Sequence, residues 1–250
     1  MRRIFAIIAL AAITKNGTAQ QAFTSGEKLT YAASYNMSGL MTELAQLTME
    51  TKKVETSKST LLHLKCKAST YSKWDTFFKI RDLYETYWST KTFRPLLYKR
   101  NIDEGGYKKM VKYTYNHKTG VVKSHMKKKG YDEHKTHKIS EETLDVVSTI
   151  YQIRQIPIAS VSPGESKTFK VLFDREEHPI KVTYKGKEFI KAGSLGTKEC
   201  YKLAVSAKGG SINGTIYLTA DSNKIPTLIK FNIPVGSGQL NLKTASGLAN

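Results

Sequence analysis

Ile225-Pro-Thr-Leu-Ile-Lys-Phe-Asn-Ile233, late in the chain, puts Ile225, Thr227, Ile229, Phe231 and Ile233 on one parity and leaves Lys230 and Asn232 on the other. A period of two is the mark of a strand with one face in a core and one in water. The same alternation recurs in Leu29, Tyr31, Ala33 and Tyr35, in Leu62, Leu64, Cys66 and Ala68, in Phe169, Val171 and Phe173, and in Ile180, Val182 and Tyr184. Turn chemistry separates the runs at Glu104-Gly105-Gly106, Asn116 to Gly120, Lys185-Gly186-Lys187, Gly209-Gly210 and Asp221-Ser222-Asn223, so hairpins in a meander are predicted. The fold class is mainly β. About ten antiparallel strands are implied, more than a flat sheet holds comfortably, which points to a strongly curved sheet or a partly closed barrel.

One helix is predicted over about 141–155. Ser140 is placed to cap it, Glu141 and Glu142 favour its positive end, Leu144, Val147, Ile150, Tyr151 and Arg154 recur at helical spacing, and Pro157 follows. Its wide apolar face assigns it to the concave side of the sheet. A second short helical turn is expected within Tyr71 to Phe78, and the lysine- and histidine-rich stretch from Lys123 to Lys138 reads as an exposed hairpin end or mobile loop.

The chain opens with Met1-Arg2-Arg3, an unbroken apolar run from Ile4 to Ile13, and a polar stretch in which Gly17 and Ala19 are small. That order is a secretory leader, cleaved before Gln20, so residues 1–19 are assigned as signal peptide and residues 20–250 as one β-rich domain. The run is shorter than the roughly 20 residues needed to span a bilayer, and no later segment is long and apolar enough. The first cysteine is Cys66, so no lipid-attachment cysteine follows the leader. A soluble periplasmic or secreted protein is expected, and export removes nucleic acid from its partners.

The 250 residues carry 40 lysines and arginines against 21 acids, a formal charge of +19. Loss of Arg2, Arg3 and Lys15 with the leader lowers this to +16. Such a field favours anionic lipid or glycan, while lysines at alternate strand positions, such as Lys65 and Lys67, equally describe solvated strand faces. Cys66 and Cys200 would meet an oxidising compartment, which leaves open both a disulfide between them and two separately buried thiols.

Catalytic signatures are absent from the sequence: there is no Gly-x-Ser-x-Gly, no His-Glu-x-x-His, no phosphate loop and no dinucleotide fingerprint. No catalytic residue, cofactor or metal is therefore assigned. The nearest thing to a metal motif is Asp132, Glu133, His134 and His137, where His-x-x-His spacing offers two imidazoles but a stable site needs three or four converging ligands, and flanking lysines oppose a cation. The densest candidate binding surface is Lys73 to Arg100, KWDTFFKIRDLYETYWSTKTFRPLLYKR, where rings suited to sugars or acyl chains alternate with guanidinium forks suited to anions. Trp74, Phe77, Phe78, Arg81, Trp88, Arg94 and Arg100 are its candidate ligand-binding residues, joined by Tyr151 and Arg154 of the helix.

Several stretches together resemble the bacterial domain of unknown function 3108 family (DUF3108). They are FTSGEKLTYAASYN from Phe23, the Lys73 to Tyr107 run, TLDVVSTIYQIR from Thr143, the PGES stretch with Phe173-Asp174, GTKECYKL from Gly196, and LTADSNKIPTLIKFNIPVGSGQL ending at Leu240. The resemblance covers about 23–240 and implies an exported β-rich fold similar to periplasmic lipoprotein carriers, without an established activity. The expectation is a non-catalytic envelope protein binding an apolar or amphiphilic anionic ligand, a lipid or acylated molecule, in a curved sheet. The alternatives are a structural or assembly module for envelope protein or glycan, and a hydrolase with paired carboxylates.

Overall fold

The computed structural model describes residues 21–37, 39–207, 213–233 and 236–249. The leader assigned to residues 1–19 and the Gly209-Gly210 turn lie outside them. The strands are β1 Lys28–Met37, β2 Leu40–Glu55, β3 Thr60–Thr70, β4 Arg81–Ser89, β5 Pro95–Glu104, β6 Tyr107–Asn116, β7 Val121–Lys128, β8 Tyr131–Lys138, β9 Ser166–Phe173, β10 Glu176–Lys191, β11 Thr197–Ala207, β12 Asn213–Thr219, β13 Pro226–Ile233 and β14 Gly236–Ser246. The helices are α1 Ser72–Asp75 and α2 Val146–Arg154.

All fourteen strands join one antiparallel sheet in the order β8-β7-β6-β5-β4-β3-β2-β1-β14-β13-β12-β11-β10-β9. Two meanders meet where the first strand pairs with the last, so β1 and β14 lie mid-sheet and the two edges, β8 and β9, are consecutive in sequence. The segment joining them carries α2. That helix packs against β3 and β4 in one half and against β9 at the far edge, which requires the sheet to curl around it. The sheet stays open, because β8 and β9 are not paired with each other.

Side chains bridge the gap instead. The two-residue loop between β9 and β10, Asp174-Arg175, has positive φ at both residues, 46° and 76°, the twist that suits a tight hairpin but costs non-glycine residues energy. Asp174 pairs with Arg100 of β5 and, at 2.8 Å, with Lys109 of β6. Arg175 pairs with Glu133 of β8, donates to Tyr131 Oη at 2.9 Å, and donates its backbone N–H to Tyr113 Oη at 2.9 Å. A glycine would fit this backbone better but would leave the two ends of the sheet untied.

Large side chains crowd the inside of the curl, and a depression of about 180 Å³ opens on its Val182, Tyr184 and Leu203 side. Trp88, Tyr31, Tyr98, Tyr113, Tyr151, Phe23, Leu29, Met49 and Leu64 are among the largest fully buried side chains. The alternation of Leu29 with Tyr31 and of Leu62 with Leu64 is thus the inner face of the sheet, as its period implies.

Three expectations are corrected and one open choice is decided. Among the described residues the strands number fourteen rather than about ten, because lysine-rich strands hide their alternation. Of the two readings of Lys123 to Lys138 the hairpin holds: it forms the β7–β8 edge hairpin, with Val122, Ser124 and Met126 buried on its inner face. Lys185-Gly186-Lys187 is a bulge inside the single long strand β10, where Gly186 takes φ +98° and the register with β11 shifts. The helix begins at Val146, capped by Asp145 rather than Ser140. Leu144 cannot join it, because its N–H donates to Lys170 O and its C=O accepts from Leu172 N–H, an isolated parallel bridge to β9.

Candidate functional site

The nine residues singled out from the sequence do not converge. They fall into an outer aromatic turn, a rim and an interior group. Trp74 of α1 lies 5.8 Å from the Phe77 ring at a tilt of 55° and donates Nε1–H to Glu43 O at 3.0 Å. Phe77 and Phe78 follow on the turn, 79% and 53% exposed. Phe78 covers the β5–β6 turn, where a side chain at Gly105 would meet its ring at 2.9 Å. Arg81, at the start of β4, clasps Asp75, and that guanidinium together with the Thr70 hydroxyl holds the Asp75 carboxyl below its ordinary range.

The interior group is buried, with Trp88 Nε1 and Tyr151 Oη lacking hydrogen-bond partners among the described residues. Trp88 is fully buried in the sheet's inner face, and Tyr151 packs edge-on against Phe23 with centroids 4.7 Å apart. Arg154 is 0% exposed, yet every polar need is met: Glu27 takes two bonds of 2.7 Å, and Ala22 O and Asn223 O accept at 2.7 and 2.9 Å. Its guanidinium therefore ties the end of α2 to the N-terminal segment and the β12–β13 turn, with no fork left for a ligand. Arg100 pairs with Asp174 and lies over the Phe173 ring, 4.4 Å away, while its Nε is buried with no hydrogen-bond partner among the described residues.

Arg94 alone lies at an open depression. A groove of about 610 Å³ runs over the outer face of β5–β7, with Leu96 and Val121 in its wall and Arg94, His117, Lys118 and Lys123 around it. A second of about 230 Å³ shares Thr92 and Arg94 with the first and continues toward Lys167 and Lys170. Glu141 is the acid of the larger groove; Arg94 bonds it at 2.7 Å and holds its carboxyl below the usual range. The His117 ring stacks on Tyr115 and sits between Pro95 O, at 2.7 Å, and Glu141 O, at 3.1 Å, joining β6 to both neighbours of the groove.

There are two further constellations; of their members Asp132 and His134 were candidates in the sequence, whereas Asp145, Ser148, Thr86 and His125 were not. At the start of α2, Asp145 Oδ1 accepts from Ser148 N–H at 2.9 Å and from the Thr86 hydroxyl at 2.7 Å, while the Ser148 hydroxyl bonds Asp145 N–H at 2.9 Å. Asp145-x-x-Ser148 before an apolar run is a readable capping box. At the sheet edge His125 of β7 faces His134 of β8. Their rings stack 3.9 Å apart, and His125 Nε2 lies 2.7 Å from Asp132. His137 points to the opposite face of β8, onto the Ser124 hydroxyl at 3.0 Å, so the His-x-x-His pair is split by strand alternation.

Cys66 on β3, half-buried, and Cys200 on β11, buried, are both free thiols. Burial pushes the Cys66 thiol up to about 12. Cys200 shares its buried site with Thr227 Oγ1 at 3.4 Å. Among the described residues no helix is long and apolar enough to cross a membrane.

The family model for DUF3108, a protein of unknown function, matches residues 30–243. The chain belongs to the DUF3108 family. A crystal structure of a beta-barrel-like protein of the DUF1849 family from Brucella abortus superposes with a TM-score of 0.63 at 8% identity, covering 91% of this chain and 99% of that one. That likeness is of fold alone, and it fits a curled sheet whose ends approach without pairing. A protein of YmcC-like fold from Bacteroides fragilis aligns over 90% of this chain and 97% of its own, at 10% identity and a TM-score of 0.30, too low to carry an argument. No curated protein sequence matches.

Proposed function

We propose that this DUF3108 protein is an exported, non-catalytic binding protein of the bacterial envelope that holds an anionic amphiphile, a lipid or acylated molecule, on its outer groove. The observation that carries the reading is the about 610 Å³ groove, which sets the aliphatic surface of Leu96 and Val121 beside Arg94, His117, Lys118 and Lys123. That volume lies within the several hundred Å³ typical of small-molecule sites. The acyl chain lies along the outside of the sheet, since large side chains crowd the inside. Export rests on the Arg2-Arg3 and Ile4–Ile13 leader pattern. A non-catalytic role is favoured because the acids have structural partners: Asp75 with Arg81, Asp174 with Arg100, Glu27 with Arg154, and Glu141 with Arg94.

The test is native mass spectrometry of protein purified from the envelope, followed by titration with dodecyl phosphate and with an uncharged dodecyl maltoside control. Retained lipid, and dodecyl phosphate binding that weakens tenfold or more in Lys118→Glu/Lys123→Glu, support it. No co-purifying lipid together with no response to dodecyl phosphate removes it. A second reading, assembly onto an envelope protein or glycan, is favoured by the exposed Phe77 and Phe78 beside Trp74. Phe77→Ser then leaves folding intact and abolishes capture of the partner.

A further inference from the structure

The β7–β8 hairpin brings three metal-ligating side chains together outside the groove. His125, Asp132 and His134 each offer one ligand atom, and these atoms all lie within 4.8 Å of one another. Register causes this. The two-residue turn Lys129-Gly130, with Gly130 at φ +70°, pairs Lys128 with Tyr131 and therefore His125 with His134. Asp132 shares the outward parity of His134 on β8 and reaches diagonally to His125 Nε2. The set is solvent-accessible, at a sheet edge with no further strand over it.

From this geometry we infer that the edge hairpin binds a borderline divalent transition metal of the zinc, nickel or copper(II) class. Two imidazoles and one carboxylate select such ions over magnesium or calcium, which prefer all-oxygen sets. Ligands of one zinc ion stand about 2.0–2.2 Å from it and therefore roughly 3–3.5 Å from one another; the widest pair of the set must draw in, while His125 and Asp132, in contact at 2.7 Å, must open to admit the ion. All three side chains are partly or fully exposed. Lys127 bonds the other carboxylate oxygen at 3.3 Å with its side chain largely in water; it neutralises part of the carboxylate charge without covering the imidazoles. Three protein ligands leave a coordination position for water or for a donor from another molecule.

Isothermal titration of Zn²⁺ into the whole mature chain at neutral pH tests this. The expected result is one equivalent bound in the micromolar range, weakened tenfold or more by His125→Ala and by His134→Ala, and several-fold by Asp132→Asn. His137→Ala, on the opposite face of β8, leaves it unchanged, and Mg²⁺ gives no binding. Selective broadening of the His125 and His134 ring signals by Cu²⁺, read by NMR on the unaltered protein, identifies the ligands without any substitution. Absence of Zn²⁺ binding tighter than millimolar, or binding that survives both histidine substitutions, overturns the inference.

Discussion

Asp145 makes the interior of the curl sensitive to pH, and replacing it by asparagine isolates the effect. Its Oδ1 caps α2 and accepts the Thr86 hydroxyl, while Oδ2 is buried with no hydrogen-bond partner among the described residues. Burial raises the carboxyl from 3.8 to about 6, against the opposing pull of Ser148 and Thr86. The folded protein thus holds this proton more tightly than the unfolded chain does. The resulting stabilisation is complete below about pH 4, is lost as pH rises through about 6, and is gone above it. About two pH units at about 1.4 kcal/mol each give on the order of 3 kcal/mol. Asp145→Asn keeps the oxygen cap and never ionises. Urea unfolding of both proteins from pH 4 to 7.5 should therefore show their stability difference swinging by about 3 kcal/mol in favour of the variant as pH rises. Taking the difference matters, because Asp82, raised to about 6 by burial with Glu104 beside it, titrates in the same window in both proteins. Asp145→Ala, which loses the cap and strands the Thr86 hydroxyl, should cost about 2–4 kcal/mol near pH 4, and the cost should shrink as pH rises, because this variant too is relieved of the buried charge. A wild-type minus Asp145→Asn difference that stays constant from pH 4 to 7.5 refutes the reasoning.

Arg154→Met strands Glu27 in the core without its partner and should cost about 3–5 kcal/mol by urea unfolding, most of it recovered in Glu27→Leu/Arg154→Met. Gly193→Ala forces a φ of +56° on alanine and sets its Cβ 2.4 Å from Leu242 O and Lys243 O, so its melting temperature should fall by an amount equivalent to about 2 kcal/mol or more. Both thiols should resist Ellman's reagent in the native protein and react in guanidinium without added reductant. Arg175→Ala unties the β9–β10 loop from Glu133 and Tyr131, and amide hydrogen exchange should quicken in β8 more than in β3.

What the sequence discloses about this fold tracks how strongly each strand is two-sided. Leu29 and Tyr31, or Leu62 and Leu64, stand out because apolar and polar neighbours alternate in the middle of the sheet. Strand β7 conceals the same period: its buried positions are Val122, Ser124 and Met126, one of them polar, and its outward positions include Lys123, His125 and Lys127. The helix was legible in type but not in start. Glu141 and Glu142 suit a first turn, yet β9 captures the backbone of Leu144, a tertiary contact no local propensity reports. The contiguous aromatic and basic run from Lys73 to Arg100 is dispersed for a geometric reason: it passes through α1, β4 and β5, and alternation sends Trp88 inward while Phe77 stays in water.

The histidines of the edge hairpin reverse that lesson. His134 and His137 are close in sequence and point apart, whereas His125 and His134 are nine positions apart and stack. The deciding signal was Gly130. Once Lys129-Gly130 is recognised as a two-residue turn, the pair sums are fixed by Lys128 with Tyr131, and His125 must face His134. Spacing along the chain is therefore a poor guide to ligand sets in a β-protein, while spacing counted outward from a turn is a good one. Counted that way, the hairpin's third ligand, Asp132, is also found: it lies two positions before His134 on the same face, which is the diagonal neighbour of His125.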